Sequence, residues 1–161
     1  MTSLVRALSE KGLKLAIVES LTGGLVSAVI VSEPGASKVL LGSIIAYQDA
    51  MKVELLGVSA ELISEQSAVD PDVAKQMAIG VRSRLSGLNE VPELDVIGLS
   101  TTGVAGPDSV KGKTPGLTFI ALSSRKGTFV FERHFSGDRE RVRESARDEA
   151  ISLLREQISL L

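Results

Sequence analysis

The chain has 161 residues, 43% hydrophobic and 24% charged, with a formal net charge of −2, which excludes a disordered polymer and a broadly basic nucleic-acid binder. It has no cysteine and a single histidine, His134. Disulfides, thiolate zinc sites, cysteine nucleophiles and a multi-histidine metal centre within one chain are therefore excluded, and no metal or cofactor is expected. No apolar run approaches the roughly 20 residues of a membrane span, and no secretory leader is recognised. A cytoplasmic protein of one domain, 1–161, is expected, binding neither membrane nor nucleic acid stably.

Leu4, Val5 and Leu8 fall at helical spacing, with Gly12 placed to end the helix. Leu13 to Val18 reads as a buried strand. Gly24 to Val31 is apolar nearly all round, as expected of a short helix packed inside a layered protein. Gly42 to Tyr47 is a second strand, followed by a helix from Asp49 to Leu56 that Gly57 closes. Ser59 caps a further short helix through Glu65. Asp70-Pro71 opens a longer one, on which Val73, Met77, Val81 and Leu85 repeat every four residues. Val96 to Thr101 is a third buried strand, running into the Gly/Pro-rich segment from Gly103 to Gly116. Leu117 to Ser123 and Thr128 to Ser136 form a hairpin, in which His134 lies opposite the Phe129, Phe131 and Phe135 face and is given no role. Asp138 caps a last helix with Val142, Ala146, Ala150, Leu153 and Leu154 inward. Helices alternating with strands, then a terminal hairpin and helix, predict an α/β fold: a single three-layer α/β/α domain with a mixed sheet.

The junction Glu19-Ser20-Leu21-Thr22-Gly23-Gly24 carries the chemistry. A serine between a buried strand and a small-residue helix presents a hydroxyl among unpaired backbone N–H groups. One turn of that kind can supply both a nucleophile and an oxyanion hole, here from the N–H groups around Leu21, Thr22 and Gly23. Serine needs a base, and with His134 alone a histidine triad is disfavoured, so a lysine held in a closed apolar pocket is the alternative. Arg139, Arg141, Arg143 and Arg147 give local positive charge suited to a small anion. Arg139 and Arg143, four apart, share a helix face and offer planar forks for phosphate. Thr102 to Gly106 supplies backbone that can approach a ligand closely.

Four segments in order, Glu19 to Gly24, Tyr47-Gln48-Asp49-Ala50-Met51-Lys52, Thr102-Gly103-Val104-Ala105-Gly106-Pro107 and Gly137-Asp138-Arg139, resemble the C-terminal domain of the competence/damage-inducible protein CinA. That family includes stand-alone nicotinamide mononucleotide amidases. The resemblance implies metal-independent hydrolysis of the carboxamide of nicotinamide mononucleotide to nicotinate mononucleotide and ammonia. It implies catalytic residues at Ser20, Tyr47 and Lys52, with Tyr47 relaying a proton or holding the other two. Substrate contacts are expected at Thr22, Gly23, Gly24, Thr102, Gly103, Ala105, Gly106, Arg139 and Arg143, with a small-molecule nucleotide as partner and a homo-oligomer as assembly. The sequence departs from the family's usual pattern at Leu21, Asp49 and Met51, where cysteine, asparagine and alanine are common, and in the loop Asp108-Ser109-Val110-Lys111-Gly112.

Plainer readings compete. Without the resemblance, Ser20 is a helix cap, Lys52 a solvated helix residue, and Arg139 and Arg143 surface charges paired with Glu140, Glu144 or Asp148. Gly106 to Thr114 ends like a phosphate-binding loop, but it has five intervening residues rather than four and Pro115-Gly116 follows where a helix is required. A non-catalytic nucleotide-binding or protein-interaction module linked to competence or DNA damage is the alternative function. A nucleotide-sugar pyrophosphatase resembles an activity of the larger two-domain CinA proteins, but it belongs with an N-terminal domain not matched here.

Overall fold

The computed structural model describes residues 3–161. A five-stranded mixed sheet in the order β2-β1-β3-β4-β5 runs through its centre. β1 (Lys14–Glu19) lies parallel to β2 (Leu40–Ile45) on one side and to β3 (Val96–Gly103) on the other. β4 (Leu117–Ser124) and β5 (Gly127–His134) continue antiparallel, as the expected hairpin.

Alternation along β1 divides the core. Leu15 and Ile17 pack with Leu4 and Leu8 of α1 (Leu4–Glu10), Val26 and Ile30 of α2 (Leu25–Val31), and Leu154 of α6 (Arg139–Leu160). Ala16 and Val18 point the other way, into a cluster with Leu56 of α3 (Asp49–Leu56), Ile63 of α4 (Ala60–Gln66) and Val73, Met77 and Val81 of α5 (Pro71–Leu88). A strand covered on both faces reads as one continuous apolar run, which is why Leu15 to Val18 has no polar alternation. The result is the expected three-layer α/β/α arrangement.

α5 begins as its sequence dictates: the Asp70 carboxylate accepts from the Asp72 and Val73 N–H groups, with proline at the first helical position. It lies close on the sheet because β3 has no side chain at Gly98, where a Cβ would stand 2.2 Å from the Ala78 carbonyl oxygen.

Two expectations are corrected. β2 runs from Leu40 to Ile45 rather than from Gly42 to Tyr47, and as an edge strand it is only half-buried. α2 is not enclosed: it crosses near that edge, so only Val26 and Ile30 are buried, and Val31 is 59% exposed. Its all-round apolar character therefore does not report burial. Among the described residues, no helix is long and apolar enough to cross a membrane.

The chain leaves β1 through α2 to reach β2, then returns through α3, α4 and α5 on the opposite face to reach β3. Connections thus diverge at the carboxyl ends of β1 and β3. In open α/β sheets that divergence opens the crevice in which ligands bind.

Candidate active site

A cavity of about 410 Å³ occupies this crevice, lined by Ser20, Tyr47, Lys52, Thr102 and Arg139 among others. Ser20 stands one residue beyond β1, where its N–H still donates to the Thr101 carbonyl at 3.0 Å as an extension of the β1–β3 ladder. Its hydroxyl has no protein hydrogen-bond partner among the described residues. It is not a helix cap. Gly24, at φ 103°, occupies the cap position of α2 without a side-chain bond.

The capping group is instead Glu19, fully buried, which reaches forward from the end of β1. Its carboxylate accepts from the N–H groups of Gly24 (3.0 Å), Val26 (3.1 Å) and Ser27 (2.8 Å) and from the Ser27 hydroxyl (2.5 Å). The orphan donors of the helix start are thereby satisfied by a charge, the strong form of such bonds. Ser20 is left free for the cavity. Glu19→Gln places an amide NH₂ against backbone N–H donors, and a loss of about 2 to 3 kcal/mol in urea unfolding is expected.

The turn is fixed from two further sides. The Thr22 hydroxyl shares a 2.8 Å hydrogen bond with that of Thr101 on β3. Arg143 of α6 donates from Nε to the Leu21 carbonyl at 2.9 Å and from Nη2 to the Thr22 carbonyl at 3.2 Å. Of the expected oxyanion donors, the Gly23 N–H is used on the Ser20 carbonyl at 3.2 Å. The Leu21 and Thr22 N–H groups donate to no protein acceptor among the described residues.

Lys52 departs furthest from the solvated reading: it is 1% exposed and among the largest fully buried side chains. It sits on the first turns of α3, and its Nζ donates to the Ala46 carbonyl at 2.8 Å and the Tyr47 carbonyl at 3.2 Å, both just past β2. Burial holds its pKa below the ordinary lysine value, and the Asp49 carboxylate, 4.0 Å away, opposes that shift.

Tyr47 contributes its carbonyl to Lys52, while its phenol turns elsewhere. The ring is 54% exposed and the phenolic oxygen accepts from Arg139 Nη2 at 3.0 Å. Arg139 Nη1 donates to the Gly106 carbonyl at 2.7 Å. The phenol makes no hydrogen bond to Ser20 or to Lys52 Nζ.

Of the residues expected at the site, the cavity brings together Ser20, Tyr47, Lys52, Thr102, Gly103, Ala105, Gly106 and Arg139. Thr22, Gly23, Gly24 and Arg143 do not line it. They shape the serine's turn, and the shared helix face of Arg139 and Arg143 divides into one group at the cavity and one beneath it. Asp49, Asp108, Ala68, Val69 and Val110 also line the cavity without having been assigned a role. Val110 belongs to a short tab bridged from Val110 to Lys113. Lys111 Nζ donates to the Ser64 carbonyl at 2.9 Å and Lys113 Nζ to the Gln66 carbonyl at 2.5 Å. Both carbonyls lie at the carboxyl end of α4, where a helix favours cations. Lys113, which imitates the lysine of a phosphate-binding loop in the sequence, thus latches the tab together with Lys111.

Comparison with known proteins identifies the family and the fold. The model of the CinA C-terminal domain matches residues 1–158. A CinA-like protein of Solibacter usitatus is 40% identical over 144 residues, covering 89% of this chain and 33% of that protein. A CinA-like protein of Acidobacterium capsulatum is 38% identical over 152 residues, covering 94% of this chain and 35% of that protein. The chain thus spans about a third of the length of the curated relatives it matches. A crystal structure of a competence-damaged protein (CinA) superfamily protein from Klebsiella pneumoniae superposes with a TM-score of 0.87 at 26% identity, covering 98% of this chain and 94% of that one. One from Escherichia coli gives 0.82 at 26% identity, with coverage of 98% and 88%. With fold and sequence in agreement, the chain belongs to the CinA C-terminal domain family.

Proposed function

We propose that the chain is a serine amidohydrolase that cleaves the carboxamide of nicotinamide mononucleotide, with Ser20 as nucleophile and Lys52 as base. The observation that carries this reading is a lysine buried in the cavity that Ser20 lines. A neutral amine has two N–H donors and one lone pair. In that form the Ala46 and Tyr47 carbonyls take the donors and leave the lone pair to accept a proton. Burial lowers the pKa of Lys52 toward that form, because a charged ammonium loses its hydration there.

In the acylation step, Lys52 accepts the Ser20 proton as the serine oxygen attacks the carboxamide carbon. The developing oxyanion is met by the Leu21 and Thr22 N–H groups. Collapse returns the proton from Lys52 to the leaving nitrogen, and ammonia departs. Water then attacks the ester carbon, its proton passing to Lys52; collapse expels the Ser20 oxygen, which takes that proton back, and nicotinate mononucleotide is released. Arg139, with two of its N–H groups engaged and the others facing no protein acceptor among the described residues, binds the phosphate. The nucleotide is the one partner this reading requires.

The test is direct. Purified protein incubated with nicotinamide mononucleotide is expected to release one ammonia per nicotinate mononucleotide formed. Saturable binding of the nucleotide with no ammonia would instead favour the binding-module reading.

A further inference from the structure

Asp49 is the first residue of α3 and lines the same cavity as Ser20 and Lys52. Its side chain is 62% exposed, that of Lys52 only 1%, and one carboxylate oxygen stands 4.0 Å from Lys52 Nζ. The pair therefore presents a buried amine with an anion on its open side. A helix favours an acid in its first turn, but an acid turned away from the cavity would satisfy that preference equally. Where asparagine is common in the family, this chain carries a charge.

We propose that Asp49 is a specificity-determining residue for the cationic pyridinium ring of the substrate: its carboxylate faces the ring's charge while the carboxamide is held between Ser20 and Lys52. The assignment rests on the amide-hydrolysis reading of the same cavity and deepens it. In nicotinamide mononucleotide the pyridine nitrogen is quaternary, and the ring is bonded directly to the carboxamide carbon. A base that takes the serine proton during attack on that carbon is close to the ring as well. A carboxylate 4.0 Å from the base is then within reach of the ring's positive charge. Arg139 brings the opposite charge to the same cavity, which suits a ligand with a cation at one end and a phosphate at the other. Specificity is a difference of affinities, and the carboxylate separates a cationic ring from a neutral one.

The test compares two ligands by calorimetry in the Ser20→Ala background, where turnover is suppressed. One is nicotinamide mononucleotide; the other is its dihydro form, with the same carboxamide, ribose and phosphate but a neutral ring. Asp49→Asn is expected to weaken binding of the cationic ligand by about threefold to fivefold, the scale of a charge pair open to solvent. Binding of the dihydro ligand should change by less than about twofold, and the difference should shrink as salt is raised. The selective loss should persist with Lys52→Met added, because the carboxylate acts on the ring and not through the amine. Equal changes in both ligands, a selective loss that vanishes with Lys52→Met, or no binding of either ligand would overturn the assignment. So would selectivity removed by Asp108→Asn and kept in Asp49→Asn. Ammonia release by the parent protein, measured alongside, reports separately on the reaction: selective loss in a protein that releases none would uphold the charge recognition while refuting the hydrolysis.

Discussion

Ser20→Ala is expected to lower kcat for ammonia release on the order of 10⁴-fold or more, with mononucleotide affinity within about twofold of the parent protein. Removing the nucleophile of a serine hydrolase leaves only the catalysis supplied by oxyanion donors and binding. The fold should not suffer, because the Ser20 hydroxyl has no protein partner among the described residues, whereas its backbone N–H, which alanine keeps, holds the Thr101 carbonyl. Retained activity in Ser20→Ala would mean that water attacks the carboxamide directly, and Lys52 would then be the base for water.

Lys52→Met is the second large effect: a fall of about 10²- to 10⁴-fold in kcat, the range of a general base. Its signature is in the pH profile. The folded-state pKa of Lys52 lies below its unfolded value of about 10.4 because burial penalises the charge. Activity of the parent protein should therefore rise with pH along a limb whose midpoint lies below that value, and the Lys52→Met profile should lack the limb. Asp49 holds the proton on Lys52 from 4.0 Å, so Asp49→Asn should move the limb to lower pH. Stability follows the same sign. Between the folded and the unfolded pKa only the unfolded chain binds the proton, so the stability of the parent relative to Lys52→Met should rise with pH through that window. A profile that is the same in both proteins would remove lysine from the mechanism.

Much of the fold was legible because burial writes itself into spacing. The four-residue repeat from Val73 to Leu85 and the Asp70-Pro71 start became α5 at its expected position, and the Leu117–Ser123 run became β4. Edge positions were misread for the same reason: Gly42 to Tyr47 and Gly24 to Val31 are as apolar as core segments, and nothing local states that the sheet ends at β2. At the site, the turn holding Ser20 was legible as a strand stopping at a serine with Gly-Gly behind it. Glu19 was not. A carboxylate beside a serine in a sequence looks solvated, and only the fold shows that it points inward to the start of α2. Lys52 carries the same lesson, since its burial depends on α3 packing back beneath the end of β2. The division of labour between Arg139 and Arg143 depends on how far α6 extends past the sheet, which helical periodicity does not encode.

Arg139 and Arg143 stand one turn apart on the same rod, and that rod is anchored by Val142, Ala146, Ala150 and Leu154 along its buried side. On the proposed reading, the grip on the nucleophile's turn and the grip on the anion are therefore mechanically ganged. A lengthwise slip of α6 would misalign the reacting oxygen and the phosphate fork in one movement, so damage to the buried seam of this helix, far from any substrate, should register in turnover and in affinity at once.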